Sequence, residues 1–106
     1  MKRDLILVIS DATENLGLLR DALEILDYRV ITVSNGEDAL ARAQKHLPSV
    51  VIVDLLMSGS DGLEVCRRLR QGRLTAAVPI IAITTATDPQ MRLAALAAGA
   101  DELLTH

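Results

Sequence analysis

A doubly wound α/β domain, a parallel sheet with helices packed on it, is the fold class that this 106-residue chain predicts. Three observations carry that expectation. Apolar runs alternate with helical patterns from end to end, five strands to four helices, with no linker and no internal repeat. The runs Leu5–Ile9, Val50–Val53 and Ile80–Ile83 are continuous rather than alternating, as in strands buried on both faces. Each run ends on polar residues, Ser10-Asp11, Asp54 and Thr84-Thr85, which would line up along one edge of the sheet. Ligands of such sheets bind outside the carboxyl ends of the strands, so position alone makes Asp54 a site candidate.

Taken in order, Leu5–Ile9 is the first strand. Leu16, Leu19, Leu23 and Leu26 then recur at three- and four-residue steps, the pattern of a helix with one buried face. Arg29–Val33, short and mixed, predicts a second strand nearer an edge. Ser34 and Glu37 stand at capping-box spacing before a helix with Leu40, Ala43 and Leu47 as its stripe and Pro48 past its end. Val50–Val53 is the third strand, closed by Asp54 and a Ser58-Gly59-Ser60 turn. Asp61 caps the next helix better than it would serve as a ligand. In that helix Leu63, Cys66 and Leu69 face inward, Arg67, Arg68 and Arg70 face water, and Gly72 ends it. Ile80–Ile83 is the fourth strand, and Thr87-Asp88-Pro89 opens an Ala-rich helix over Gln90–Ala98 that closes at Gly99. Glu102–Thr105 is a short fifth strand.

Composition excludes several function classes. Half the residues are hydrophobic and 24% are charged, as in globular domains rather than disordered chains. The net charge of −3 leaves no basic surplus, so direct nucleic-acid binding is not expected. A single cysteine, Cys66, cannot form an internal disulfide and on its apolar stripe reads as packing. No apolar run reaches the length of a membrane span, and the cytoplasm is the expected compartment. His46, near a helix C-terminus, reads as a surface residue well placed in the helix dipole.

The segment Asp54-Leu55-Leu56-Met57-Ser58-Gly59-Ser60-Asp61-Gly62 resembles the D-[LM]-x-M-P-x-M-D-G motif of the receiver domain of two-component response regulators. Leu7-Val8-Ile9-Ser10-Asp11, Pro79–Thr84 and Gly99-Ala100-Asp101 add to the resemblance, which covers residues 1–106 as one domain. The resemblance implies a five-stranded parallel sheet in the flavodoxin-like order 2-1-3-4-5, with the family's final fifth helix missing from this chain. One sheet face would then be covered by the first helix alone, leaving apolar strand surface for further residues, an exchanged element or a homodimer.

By the same resemblance, Asp54 accepts a phosphoryl group from a sensor histidine kinase or phosphotransfer protein. Asp11, Asp54 and the backbone carbonyl of Leu56 would ligate Mg²⁺, a cation suited to oxygen ligands and retained waters. Thr84 would hydrogen-bond a phosphoryl oxygen, and its movement would report phosphorylation to a protein-interaction surface or an effector domain. Such a protein is not an enzyme in the ordinary sense, although it assists its own phosphorylation and dephosphorylation.

Five positions depart from the family pattern: Ser10 replaces the first of two acids, and His106 replaces the lysine. Leu103 replaces an aromatic, Ser58 a proline, and Thr85 a smaller residue. Losing an acid and a lysine together keeps the local charge balance, and a protonated His106 would favour phosphorylation at mildly acidic pH. The departures also define an alternative, a degenerate receiver acting as a phosphorylation-independent interaction module. A dehalogenase-type phosphatase would need an acid where Leu56 stands, and a flavodoxin a phosphate loop where Asp11 and Glu14 stand.

Overall fold

The computed structural model describes residues 4–11, 13–57, 61–85 and 89–105. Its elements run β1 (Leu5–Ile9), α1 (Thr13–Ile25), β2 (Arg29–Val33), α2 (Gly36–His46), β3 (Val50–Asp54), α3 (Gly62–Gln71), β4 (Ile80–Thr84), α4 (Pro89–Ala97) and β5 (Glu102–Thr105). All strand pairs are parallel, and the order is β2-β1-β3-β4-β5, as the resemblance implied. The edge position inferred for Arg29–Val33 is therefore correct. Strand addition reverses after β2, so right-handed crossovers put α1 on one face and α2, α3 and α4 on the other.

The core lies under the three-helix face. Leu7 and Ile9 of β1, Val51 and Val53 of β3, Ile80 and Ala82 of β4 and Leu103 of β5 pack there against Ala39 and Ala43 of α2, Val65, Cys66 and Leu69 of α3 and Ala95 of α4. Small residues on α2 and α4 let both helices sit close to the sheet. The opposite face is different. β1 is buried on both sides, but β3 and β4 alternate, leaving Ile52, Ile81 and Ile83 half-buried and Leu104 of β5 52% exposed. A continuous apolar run thus marks a doubly covered strand only for β1, which lies between β2 and β3 beneath the α1 side.

Four local expectations need correction. The cap of α2 is Asn35, whose side chain accepts from the Asp38 amide at 2.9 Å, so the Ser34–Glu37 capping box does not form. Leu26 and Leu47 fall just past the ends of their helices and are exposed; Leu47 takes a left-handed conformation that turns its side chain off the stripe. His46 is half-buried, and its Nε2 is shielded from water with no hydrogen-bond partner among the described residues, unlike a surface residue. Arg70 does not face water: its guanidinium donates to the Gly99 carbonyl and pairs with Asp101.

Other signals hold. Asp61 caps α3, accepting from the Leu63 amide at 2.9 Å. Pro89 is the first residue of α4, while Thr87 and Asp88 lie outside the described residues. Gly99 ends α4 in the left-handed region (φ 109°), with Ala100 N–H donating back to Ala95.

Candidate functional site

The carboxyl ends of β1, β3 and β4 meet at one edge of the sheet. Ile9 pairs with Val53 and Asp54 with Ile83, so Ser10 and Asp54 are neighbours across two strands, and Thr84 lies one step beyond Asp54 on the next. Beyond the ladders, Ser10 N–H donates to Val33 at 3.0 Å and Leu55 N–H to Ile83 at 3.0 Å. The chain is therefore fixed on both sides of the site before any side chain takes part.

Asp54 is half-buried, and each of its carboxylate oxygens accepts one hydrogen bond. The Leu56 amide donates to Oδ1 at 2.9 Å, closing a tight turn at the end of β3. The Ser10 hydroxyl donates to Oδ2 at 2.9 Å. No cationic side chain pairs with Asp54 among the described residues. A carboxylate oxygen pair offers about four lone-pair sites, so two remain for other partners.

The turn after Asp54 is held from below. Leu55 and Met57 are buried in the core while Leu56 is exposed, so alternation carries the chain over the strand end. Gly62 opens α3 directly against it: a Cβ there would sit 2.7 Å from the Asp54 carbonyl oxygen and from the Leu55 Cα. Only glycine permits that approach, which is the physical reason for Asp61-Gly62 at the start of this helix.

Of the residues singled out from sequence, Asp11, Asp54, Leu56 and Thr84 all lie at this edge, with Asp11 half-buried and Thr84 1% exposed. His106 and Ser58 lie outside the described residues. Thr85 is exposed just past β4, and Leu103 is buried in the core. Among the described residues no three His, Cys, Asp or Glu side chains gather as a metal cluster. The carboxylates at this edge are those of Asp11 and Asp54, with backbone oxygen of the turn beside them. Hard oxygen ligands, few in number, fit a cation such as Mg²⁺ that keeps several waters, and fit poorly a metal wanting a full protein cage.

Sequence reasoning treated Ser10 only as a missing acid and did not give its hydroxyl a role. The parallel register, which puts residue 10 opposite residue 54, was the signal that would have found it. Cys66, on α3, is fully buried, and burial pushes its thiol up to about 11 against the pull of the Arg70 and Arg67 charges. It packs in the core, as its place on the apolar stripe implied.

Comparison with known proteins agrees with this fold. The response regulator receiver domain profile matches residues 6–106. The chain is 44% identical over 101 residues to the transcriptional regulatory protein KdpE of Mycobacterium tuberculosis, covering 95% of this chain and 43% of that protein. It is 37% identical over 100 residues to the response regulator PleD of Caulobacter vibrioides, covering 94% of this chain and 22% of the relative. The chain thus spans less than half the length of either relative. A crystal structure of a putative response regulator from Chloroflexus aurantiacus superposes with a TM-score of 0.92 at 34% identity, over 98% of this chain and 85% of that one. No described helix is long and apolar enough to cross a membrane.

Proposed function

Because the chain belongs to the response regulator receiver family, we propose that it is a phosphoacceptor switch in which Asp54 takes a phosphoryl group from the phosphohistidine of a histidine kinase or phosphotransfer protein. An Asp54 oxygen attacks phosphorus, the P–N bond breaks, and the donor imidazole leaves as an acyl phosphate forms on Asp54. The observation that carries the reading is the Asp54 carboxylate itself, anchored at a strand end, paired with no described cation and still holding lone pairs.

Asp11, Asp54 and the Leu56 carbonyl are the residues that would hold Mg²⁺. When bound, it supplies positive charge that offsets repulsion between the carboxylates and an anionic donor and stabilises the equatorial oxygens. The Leu56 amide and the Ser10 hydroxyl orient the nucleophile. Thr84 holds a phosphoryl oxygen through its hydroxyl and carries the change along β4 to the interaction surface. His106 provides a counter-charge in place of lysine. The protein acts in the cytoplasm, assists its own phosphorylation and dephosphorylation, and has a kinase, a second copy or an effector domain as partner.

Beryllofluoride, which mimics a phosphoryl group on aspartate, tests this. Mg²⁺-dependent binding to the wild type and none to Asp54→Asn is the expected result, with the same pattern for acetyl-phosphate labelling. No binding to either protein would leave the phosphorylation-independent module, which Ser10, Leu103 and His106 in place of the family's acid, aromatic and lysine favour.

A further inference from the structure

We propose that Ser10 is a positioning residue for Asp54, and that by standing in place of an acid it sets both the orientation of that carboxylate and the affinity of the site for a divalent cation. The inference rests on the phosphoacceptor reading for its functional meaning. Its geometry stands alone.

Ser10 is 4% exposed at the tip of β1, with its amide committed to Val33 at 3.0 Å. Its hydroxyl approaches Asp54 Oδ2 to 2.9 Å, while the Leu56 amide holds Oδ1 at the same distance. Two donors on different oxygens, one from each side, fix both the position and the plane of the carboxylate. A carboxylate accepting one bond alone keeps rotational freedom about its last torsion, which is broad and soft. The two-point hold therefore orders the nucleophile in the protein free of metal.

An acid at residue 10 would act in the opposite sense. Two ionised carboxylates facing each other across adjacent strand ends repel, and a cation is then needed to bring them together. The Ser10 hydroxyl replaces that repulsion with a hydrogen bond. One carboxylate fewer also lowers the charge available to hold a divalent ion, and affinity follows ligand charge count. With one acid fewer than the family pattern, the site with a divalent ion bound turns less negative charge toward an anionic donor. Weaker cation binding and easier donor approach follow from the same substitution.

The test uses the whole chain with Ser10→Ala, Ser10→Thr and Ser10→Asp. In the metal-free protein the Leu56 amide proton reports the Asp54 orientation by NMR. Ser10→Ala is expected to move that resonance and to speed its hydrogen exchange by about tenfold, while Ser10→Thr, which keeps the hydroxyl, leaves both unchanged. For Mg²⁺ alone, followed by calorimetric titration, Ser10→Asp is expected to bind about tenfold more tightly than wild type and Ser10→Ala within about threefold of it. An unmoved Leu56 amide in Ser10→Ala overturns the positioning role, and an unchanged Mg²⁺ affinity in Ser10→Asp overturns the affinity role. Should Ser10→Asp fail to fold, the Ala and Thr variants still decide the first point. Absence of beryllofluoride binding by the wild type would count against phosphoryl transfer, yet leave the amide and Mg²⁺ comparisons to judge Ser10 independently.

Discussion

Asp54 and Asp101 lie at opposite ends of the same parallel sheet and are held by different chemistry. At the carboxyl end, Asp54 accepts from a hydroxyl and an amide, both neutral donors. At the amino end, one Asp101 oxygen accepts from the Ile80 amide at 2.8 Å and from the Arg70 guanidinium at 2.5 Å. Arg70 also donates to the carbonyls of Gly99 at 2.7 Å, Ala76 at 3.1 Å and Val78. One side chain of α3 thus ties together the α3–β4 connection, the end of α4 and the start of β5. Asp101 faces a fixed cation, although solvent still screens the pair. An acid held only by neutral donors keeps charge and lone pairs for a cation or an electrophile. The fold puts its charged tie at one end of the sheet and, at the other, the carboxylate proposed as phosphoacceptor.

The largest effect that would break this contrast is on stability at the amino end. Arg70→Ala is expected to destabilise the protein by about 2–4 kcal/mol, because three carbonyls lose a charged donor. The ion pair itself adds little, since the Asp101 side chain is 58% exposed and solvent screens it. A urea melt checks the figure, and beryllofluoride binding per folded molecule should be retained. A loss below about 0.5 kcal/mol would reduce Arg70 to an ordinary surface residue.

Gly99→Ala comes next, at about 1–3 kcal/mol. Gly99 has a φ of 109°, and an added Cβ would collide with the aliphatic part of Arg70. The two causes can be separated. In a double-mutant cycle with Arg70→Ala the collision partner is gone, so the combined loss should fall short of the sum; full additivity would assign the whole cost to backbone conformation.

At the other end the expectation reverses. Asp54→Asn should abolish labelling yet change stability by no more than about 1 kcal/mol, because the amide oxygen can keep the Leu56 N–H, its NH2 can donate to the Ser10 hydroxyl in a reversed bond, and its burial carries no charge. A loss comparable to that of Arg70→Ala in the same melt would mean that the two ends do not differ in kind.

The element sequence and the place of Asp54 at a strand end were readable from the chain, while the Arg70 hub was not. Strand tips announce themselves as polar residues after apolar runs, and Asp54 follows the most apolar of them. Arg70 gave no such sign because charge was taken to mean solvent. Yet it stands four residues after the buried Cys66, so its stem shares the inward side of α3 and only the guanidinium needs polar company. Gly62 and Ser10 were hidden for a different reason, as their roles depend on which strand or helix lies alongside. Leu47 and Leu26 misled because periodicity does not tell where a helix stops.

Helix α3 joins the two ends, starting against Asp54 at Gly62 and finishing at the Arg70 hub, with Cys66 buried between them. A last prediction tests whether that midpoint is as dry as the packing implies. The Cys66 thiol has an ordinary value of 9.0 and is raised to about 11 in the fold, so the folded state keeps its proton where the unfolded chain releases it. Its contribution to stability is therefore fully present below pH 9 and declines as pH rises from 9 toward 11. Urea midpoints measured for wild type and Cys66→Ala should run parallel below pH 9 and converge above it, since Tyr28 and the lysines affect both proteins alike. Curves that stay parallel to pH 11 would mean that water reaches the thiol. Arg70→Ala adds a second lever: removing a charge that favours the thiolate should deepen the alkaline loss, coupling the amino-end hub to the centre of the helix.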